Sequence, residues 1–242
     1  MKNQYLTLGV VLFLVFITGN ITAQAPQNHK MNWHYSVNSG LDFRDLVTPP
    51  LVQHGPRYQQ SSISHTYNEA SSSMSDDYGN LIFYADPENI YDKDGNIMQG
   101  GSRLMGENSS FQGLIIVPVP CSKTKYYVFS VSRGNLKGYR YHLVNLDDNN
   151  DGYYDRFLEK GTVVSANNLM PRGSSVFSEK LTAIKKDNSE EYWLITQETK
   201  GVNRFYVHQV TQNGVFFHSA QSVGPLLDNI GYIKVNQQHN LL

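Results

Sequence analysis

The 242 residues carry 20 Lys plus Arg against 21 Asp plus Glu, which leaves no basic surplus to neutralise phosphates and argues against nucleic-acid binding. The single cysteine, Cys121, cannot form an internal disulfide, so folding must rest on an apolar core. The 16 Tyr, 11 Phe and 2 Trp suit pleated, half-buried surfaces better than a helix bundle, and the length fits one large all-β domain or two small ones.

At the N-terminus Lys2 supplies a positive start, and residues 6–17 form an apolar run broken only by Thr7 and Gly9. Ile21-Thr22-Ala23 then places a small residue before Gln24. This pattern predicts a secretory signal peptide over 1–23 and a mature chain beginning at Gln24. The run is well short of the ~20 residues of a membrane-spanning helix, so no stable span is expected after cleavage. No cysteine stands near the cleavage point, so no lipid anchor is expected. The chain is read as exported, to the periplasm, the cell surface or the medium.

Beyond a polar lead-in, short apolar runs alternate with Gly, Asn, Asp and Pro clusters. Leu81-Ile82-Phe83-Tyr84 follows a turn signal at Tyr78-Gly79-Asn80. Leu114-Ile115-Ile116-Val117 is a continuous apolar run ending at Pro118, as expected of a strand buried on both faces, and 126–131 is another. Tyr139, Tyr141 and Leu143 alternate with Arg140 and His142, and Phe205 and Val207 alternate with Arg204, Tyr206 and His208. One segment points the other way: Phe177, Leu181 and Ile184 fall at helical spacing behind Ser178. The surrounding pattern still favours a strand there.

The strands fall into sets. Segments 114–117, 126–131, 139–144 and 161–164 make one set of four; 181–184, 192–196, 204–210 and 215–219 make a second. An earlier set runs through 71–74, 81–84 and 89–91, with the segment near Trp33 as its fourth member. Residues 231–235 restart the pattern. Four-strand sheets repeated through short turns mark β-propeller blades. The expected fold is all-β: a partial β-propeller of about three four-stranded antiparallel blades plus the start of a fourth.

Several stretches, in order, resemble the N-terminal propeller of large Bacteroidetes surface proteins of the gliding-motility-associated, type IX-secreted kind. They are Trp33 with Gly40-Leu41-Asp42-Phe43, residues 75–86, and Ile90-Tyr91-Asp92 followed by Met98 and Gly100. Residues 112–120 followed by Tyr126-Tyr127-Val128-Phe129 continue the likeness, as do 179–184 with Tyr192-Trp193-Leu194-Ile195-Thr196, and Gly231-Tyr232-Ile233-Lys234. The resemblance implies a WD-repeat-like propeller of about seven blades, secretion to the cell surface and a C-terminal sorting domain. Against that family the chain lacks the later blades and the sorting domain. Residues 24–242 are therefore expected to form an incomplete propeller, a fragment of a larger surface protein, whose open faces promote self-association.

One motif could carry chemistry. In Asp147-Asp148-Asn149-Asn150-Asp151-Gly152-Tyr153-Tyr154-Asp155, oxygens fall at alternate positions with Gly at the sixth. Side chains of Asp147, Asn149, Asp151 and Asp155, with the carbonyl of Tyr153, have the spacing of a calcium loop, in which hard oxygen donors replace the water shell. An EF-hand would need Glu at position twelve, where Leu158 stands; Glu159 comes one residue late. The competing reading is a solvated hairpin turn, since Asp-Gly favours type I′ geometry. Calcium, if bound, would clamp the hairpin.

Elsewhere the chemistry is sparse. Asp92-Lys93-Asp94-Gly95-Asn96 lacks later oxygens and reads as a plain turn. The eight histidines form no short metal-binding pattern, and His142 and His208 read as lining strand faces. No phosphate cradle or nucleophile elbow occurs, Glu190-Glu191 sits on an expected exposed turn, and Cys121 reads as a small half-buried residue after a strand. The expected function is a non-catalytic binding, adhesion or structural module with a protein or glycan ligand. The alternatives are part of a propeller-type carbohydrate-active enzyme, whose carboxylates could be distant in sequence, and a truncated, non-functional product.

Overall fold

A computed structural model describes residues 32–34, 40–42, 57–59, 70–132, 138–172, 177–198, 203–225 and 231–235, the first three stretches through their backbone pairing. The expected signal peptide and cleavage point lie outside the described residues.

The described strands form four sheets, every pairing within them antiparallel. β1 (Asn32–His34), β2 (Gly40–Asp42) and β3 (Arg57–Gln59) pair in that order. β4 (Ser72–Ser75), β5 (Leu81–Ala85) and β6 (Ile90–Asp92) form the second sheet. β7 (Leu114–Pro118), β8 (Lys125–Val131), β9 (Tyr139–Asn145) and β10 (Thr162–Leu169) form the third. β11 (Phe177–Lys185), β12 (Tyr192–Glu198), β13 (Arg204–Thr211) and β14 (Gly214–Ser222) form the fourth. No helix occurs among the described residues.

Each sheet is an up-and-down meander, and the sheets stack through their leading strands: β1 runs beside β4, β4 beside β7, and β11 beside β7 and β8. Two apolar clusters result. Phe83, Ile90, Met98, Val128, Val144 and Leu146 fill the space between the second and third sheets. Phe129, Tyr139, Phe177, Leu181, Leu194 and Tyr206 fill that between the third and fourth. Side chains alternate across a strand, so Tyr126 and Val128 enter the first cluster while Tyr127, Phe129 and Val131 enter the second. That is why β8 reads as an unbroken apolar run.

Three expectations need correction. The Trp33 segment does not complete the second sheet. Trp33 pairs with Leu41 in a sheet of its own, which packs beside β4 without joining its hydrogen-bond ladder. The second sheet keeps three strands, so the described sheets have three, three, four and four. Residues 231–235 form no strand: the side chain of Gln112 holds both polar groups of the Ile233 backbone. Cys121 is exposed, not half-buried, because the turn between β7 and β8 puts it in the left-handed region at φ 61°.

The third and fourth sheets share an internal repeat. In one register Val128 faces His142 and Tyr126 faces Val144; in the other Leu194 faces His208 and Tyr192 faces Val210. Both second strands carry a hydroxyl two residues on, at Ser130 and Thr196. Both third-strand histidines are fully buried.

Candidate functional site

The turns after β4 and β6 and the loop between β9 and β10 meet at one end of the molecule. Two of them are the same turn. Asp76 Oδ1 accepts the N–H groups of Tyr78 and Asn80 at 2.9 and 2.8 Å, and Asn80 Nδ2 donates back to Asp76 Oδ2 at 2.9 Å. Asp92 Oδ1 accepts the N–H groups of Asp94 and Asn96, both at 2.9 Å, and Asn96 Nδ2 donates back at 3.3 Å. The Asp92 segment is thus a turn, as its spacing suggested, clasped by its own Asp and Asn.

Above them lies the acidic loop, 147–161. Lys160 Nζ stands 3.6 Å from Asp92 Oδ2 and 3.5 Å from Asp94 Oδ2, and Lys93 donates to the Glu159 carbonyl at 3.4 Å. Burial holds the Tyr154 phenol well above its usual range; Arg156 opposes this, and Asp94, Asp76 and Asp92 add to it. Burial, with Asp77 and Asp76 nearby, likewise pushes Tyr126 up to about 12.

The structure brings the five sequence-predicted residues into one curl and turns the side-chain oxygens of four of them, Asp147, Asn149, Asp151 and Asp155, onto the loop's own backbone. Asp147 accepts from Asp151 N at 3.0 Å and from Gly152 N at 2.8 Å. Asn149 Oδ1 accepts from Asp151 N at 2.9 Å, and Asp151 Oδ1 from Tyr153 N at 2.9 Å. Asp155 Oδ1 accepts from Phe157 N at 2.8 Å. Asp147 Oδ1 and Asn149 Oδ1 share one donor, so these two oxygens lie close together. Among the described residues, no three His, Cys, Asp or Glu side chains are grouped as a metal ion would require.

Spacing alone missed the loop's two organisers. Glu159, 3 % exposed, accepts from Asp148 N and Asn149 N through Oε1 at 2.8 and 3.1 Å, and from Asp155 N through Oε2 at 2.6 Å. Asp148 Oδ2 accepts from Lys160 N and Gly161 N at 3.0 and 2.9 Å, and its Oδ1 from the Thr162 hydroxyl. With its polar groups so engaged, the loop displays apolar ones: Tyr153, Phe157 and Leu158 are 68, 85 and 81 % exposed.

A second feature lies on the outer face of the fourth sheet, turned away from the third. Leu194 and Tyr206 face the core, so their neighbours Trp193, Ile195 and Val207 face outward. With Ile184 and Val235 they line a groove of about 480 Å³, a volume typical of ligand sites. Lys186 Nζ sits 4.5 Å above the Trp193 ring, whose edge meets His218 at 4.7 Å. The paired carboxylates at the turn are separately neutralised, Glu190 by Lys185 at 2.9 Å and Glu191 by Lys186 at 2.6 Å.

His142 and His208 line strand faces, as their alternation suggested, and both are fully buried. His142 Nε2 meets Ser130 Oγ at 3.1 Å, and its Nδ1 accepts the Asn167 N–H at 3.0 Å. His208 Nε2 donates to the Pro171 carbonyl at 2.8 Å, while its Nδ1, Thr196 Oγ1 and Tyr139 Oη have no hydrogen-bond partner among the described residues. Neither ring reaches the loop end or the groove.

Comparison with known families, curated proteins and solved structures finds no match for this chain. In the described residues no helix is long and apolar enough to cross a membrane.

Proposed function

We propose that this chain is an exported, non-catalytic module of propeller type that displays its hairpin loops at the cell surface to bind a protein or glycan. The observation that carries the reading is the succession of meander sheets stacked leading strand to leading strand. Propeller blades stack in this way. The Tyr/His/Val repeat in the third and fourth sheets supports it, since blades are copies of one unit. The resemblance to Bacteroidetes surface proteins supplies the location. The test is labelling of intact cells together with N-terminal sequencing of the exported protein. The expected result is surface accessibility and a first residue of Gln24; an intact Met1 on protein confined to the cytoplasm would overturn it.

We further propose calcium as a structural ligand of the loop, held by Asp147, Asn149, Asp151 and Asp155 with the Tyr153 carbonyl. The support is the alternating oxygen spacing and the shared donor of Asp147 and Asn149. Asp147 and Glu159 already fold the loop, so the ion would tighten it. Calorimetry should give dissociation constants of about 0.1–1 mM, as for extracellular modules, and none for Asp151→Ala. Flat traces for both proteins leave the hairpin turn alone.

A further inference from the structure

We infer that Tyr139, Thr196 and His208 bind one ordered water between the third and fourth sheets, where it supplies the hydrogen bonds that the protein's own groups do not. Among the described residues Tyr139 Oη, Thr196 Oγ1 and His208 Nδ1 have no partner, and all three residues are fully buried. Polar groups taken out of water without a replacement bond destabilise a core, so such groups are nearly always satisfied. The register places these groups near one another. Leu194 pairs with His208 and Thr196 with Tyr206, and Leu194 and Tyr206 both face the inter-sheet cluster. Thr196 and His208 are therefore diagonal neighbours on that same face. Tyr139 belongs to the opposing sheet, and its ring meets that of His208 edge-on, with centroids 6.4 Å apart and planes at 68°.

The third sheet satisfies the same position with its own atoms. His142 stands opposite Val128 as His208 stands opposite Leu194. There the Asn167 N–H donates to Nδ1 at 3.0 Å, and Nε2 meets Ser130 Oγ at 3.1 Å, so both ring nitrogens and the hydroxyl are engaged. In the fourth sheet the ring is used differently. Nε2 donates to the Pro171 carbonyl at 2.8 Å, which makes Nδ1 an acceptor. No amide of β14 does for that Nδ1 what Asn167 does for His142, and Thr196, the counterpart of Ser130, is left without a ring nitrogen.

Water is the ligand this chemistry selects. Burial holds the Tyr139 phenol well above its usual range and lowers the His208 pKa, so both side chains are neutral, as Thr196 is. Three neutral groups offer no charge to attract an ion. They do offer one obligate acceptor and two hydroxyls, each able to give or take a proton. One water can donate to Nδ1 and bond both hydroxyls, and buried waters commonly make about three such bonds. The molecule thus takes the place in the fourth sheet that the Asn167 amide holds in the third.

Isosteric variants test this, because the sign of their effect depends on the water. Thr196→Val and Tyr139→Phe each remove a hydroxyl and little else. A buried hydroxyl without a partner is better lost, so its removal would make the protein more stable. A hydroxyl bonded to the water is missed, and each variant should raise the unfolding equilibrium constant about tenfold, the factor for ~1.4 kcal/mol. In the double variant the two losses should not add, although the two side chains share no direct bond. A crystal structure of the wild-type protein should show one water within hydrogen-bonding distance of His208 Nδ1 and of both hydroxyls. Unchanged or increased stability in either variant, additive losses, or no water on these three atoms overturns the inference.

Discussion

The backbone N–H of Asn167 donates to Nδ1 of His142 at 3.0 Å, so this fully buried imidazole is neutral and carries its proton on Nε2, facing Ser130. Asn167 sits in the left-handed region at φ 57° within an irregular stretch of β10. Its side chain bonds Met105 N and the Arg103 carbonyl, and its own carbonyl accepts from Arg140. One histidine lone pair thus helps to pin the 103–105 loop to the third sheet.

That lone pair makes stability depend on pH. Burial, with the Arg140 charge adding, lowers the His142 pKa from 6.5 to about 4. The unfolded chain takes up a proton near pH 6.5 and the folded one only near 4. The stabilising difference is therefore complete above about 6.5, is lost as pH falls through that window, and is spent below it. One group with this shift is worth on the order of 3 kcal/mol. His208, lowered by burial although Pro171 opposes it, changes stability in the same direction. Urea melts at pH 7, 5.5 and 4.5 should show the decline, and His142→Gln should flatten part of it. Equal slopes for wild type and variant would refute the assignment.

Glu159 gives the second expectation. Its three accepted amide bonds come from both arms of the loop, and replacing it with Gln puts an NH₂ where a carboxylate oxygen now accepts. Leaving buried amides without acceptors costs about 1–3 kcal/mol. Glu159→Gln should lower stability by that order, and the loss should persist when calcium is chelated. A loss that disappears in chelator would make Glu159 a metal-site residue.

Much of the fold was legible because apolar runs that face two cores leave a plain mark, as in β7 and β8. The helical alternative at Phe177, Leu181 and Ile184 shows where periodicity is ambiguous. An interval of four is even, so Phe177 and Leu181 share a strand face as readily as a helix face, and both enter the same cluster. An interval of seven is odd, and Ile184 duly points the other way, into the groove. The candidate site was half legible. The alternating oxygens predict a curled loop, but the calcium-loop pattern leaves Glu159 one position late and is silent on the three backbone amides it accepts. That Phe157 and Leu158 would be displayed to solvent depends on the loop's internal bonding, which no local pattern announces. The groove combines residues from four strands and the segment ending at Val235, a juxtaposition that only the register reveals.

Two glycines with similar backbone angles separate conformational from steric cost. Gly152, at φ 90° in the acidic loop, has nothing within 4 Å of where a Cβ would stand. Gly100, at φ 74°, would place a Cβ 2.6 Å from the Val163 carbonyl, beside the bridge that joins residue 99 to β10. Gly152→Ala should cost about 1–2 kcal/mol, the left-handed penalty of a residue with a Cβ. Gly100→Ala should cost clearly more, because Val163 is backbone and must itself move. Chemical denaturation of the two variants measures the difference, and equal losses would show that the chain relaxes freely around Gly100.

The Gln112 side chain replaces a strand partner for residues 231–235. A glutamine amide presents the same acceptor and donor as a peptide group. Gln112 uses both, taking the Ile233 N–H at 3.0 Å and giving to the Ile233 carbonyl at 3.4 Å. Next to this clasp the rings of Phe111 and Tyr232 lie 4.7 Å apart, and Phe111 N donates to Glu179 at the start of β11. Among the described residues the segment is thus held by one side-chain amide, one aromatic contact and the buried Ile233 side chain, where a β-strand would have a ladder of backbone bonds, and it stands outside the two main apolar clusters. Gln112→Ala should therefore leave the melting temperature nearly unchanged, a net loss of about 1 kcal/mol or less. The same substitution should accelerate hydrogen exchange at Ile233 while the amides of β8 and β12 keep their protection, since local opening needs only the bonds that close it. Exchange that rises across β8 and β12 as well would mean that the clasp supports the whole stack of sheets and not this segment alone.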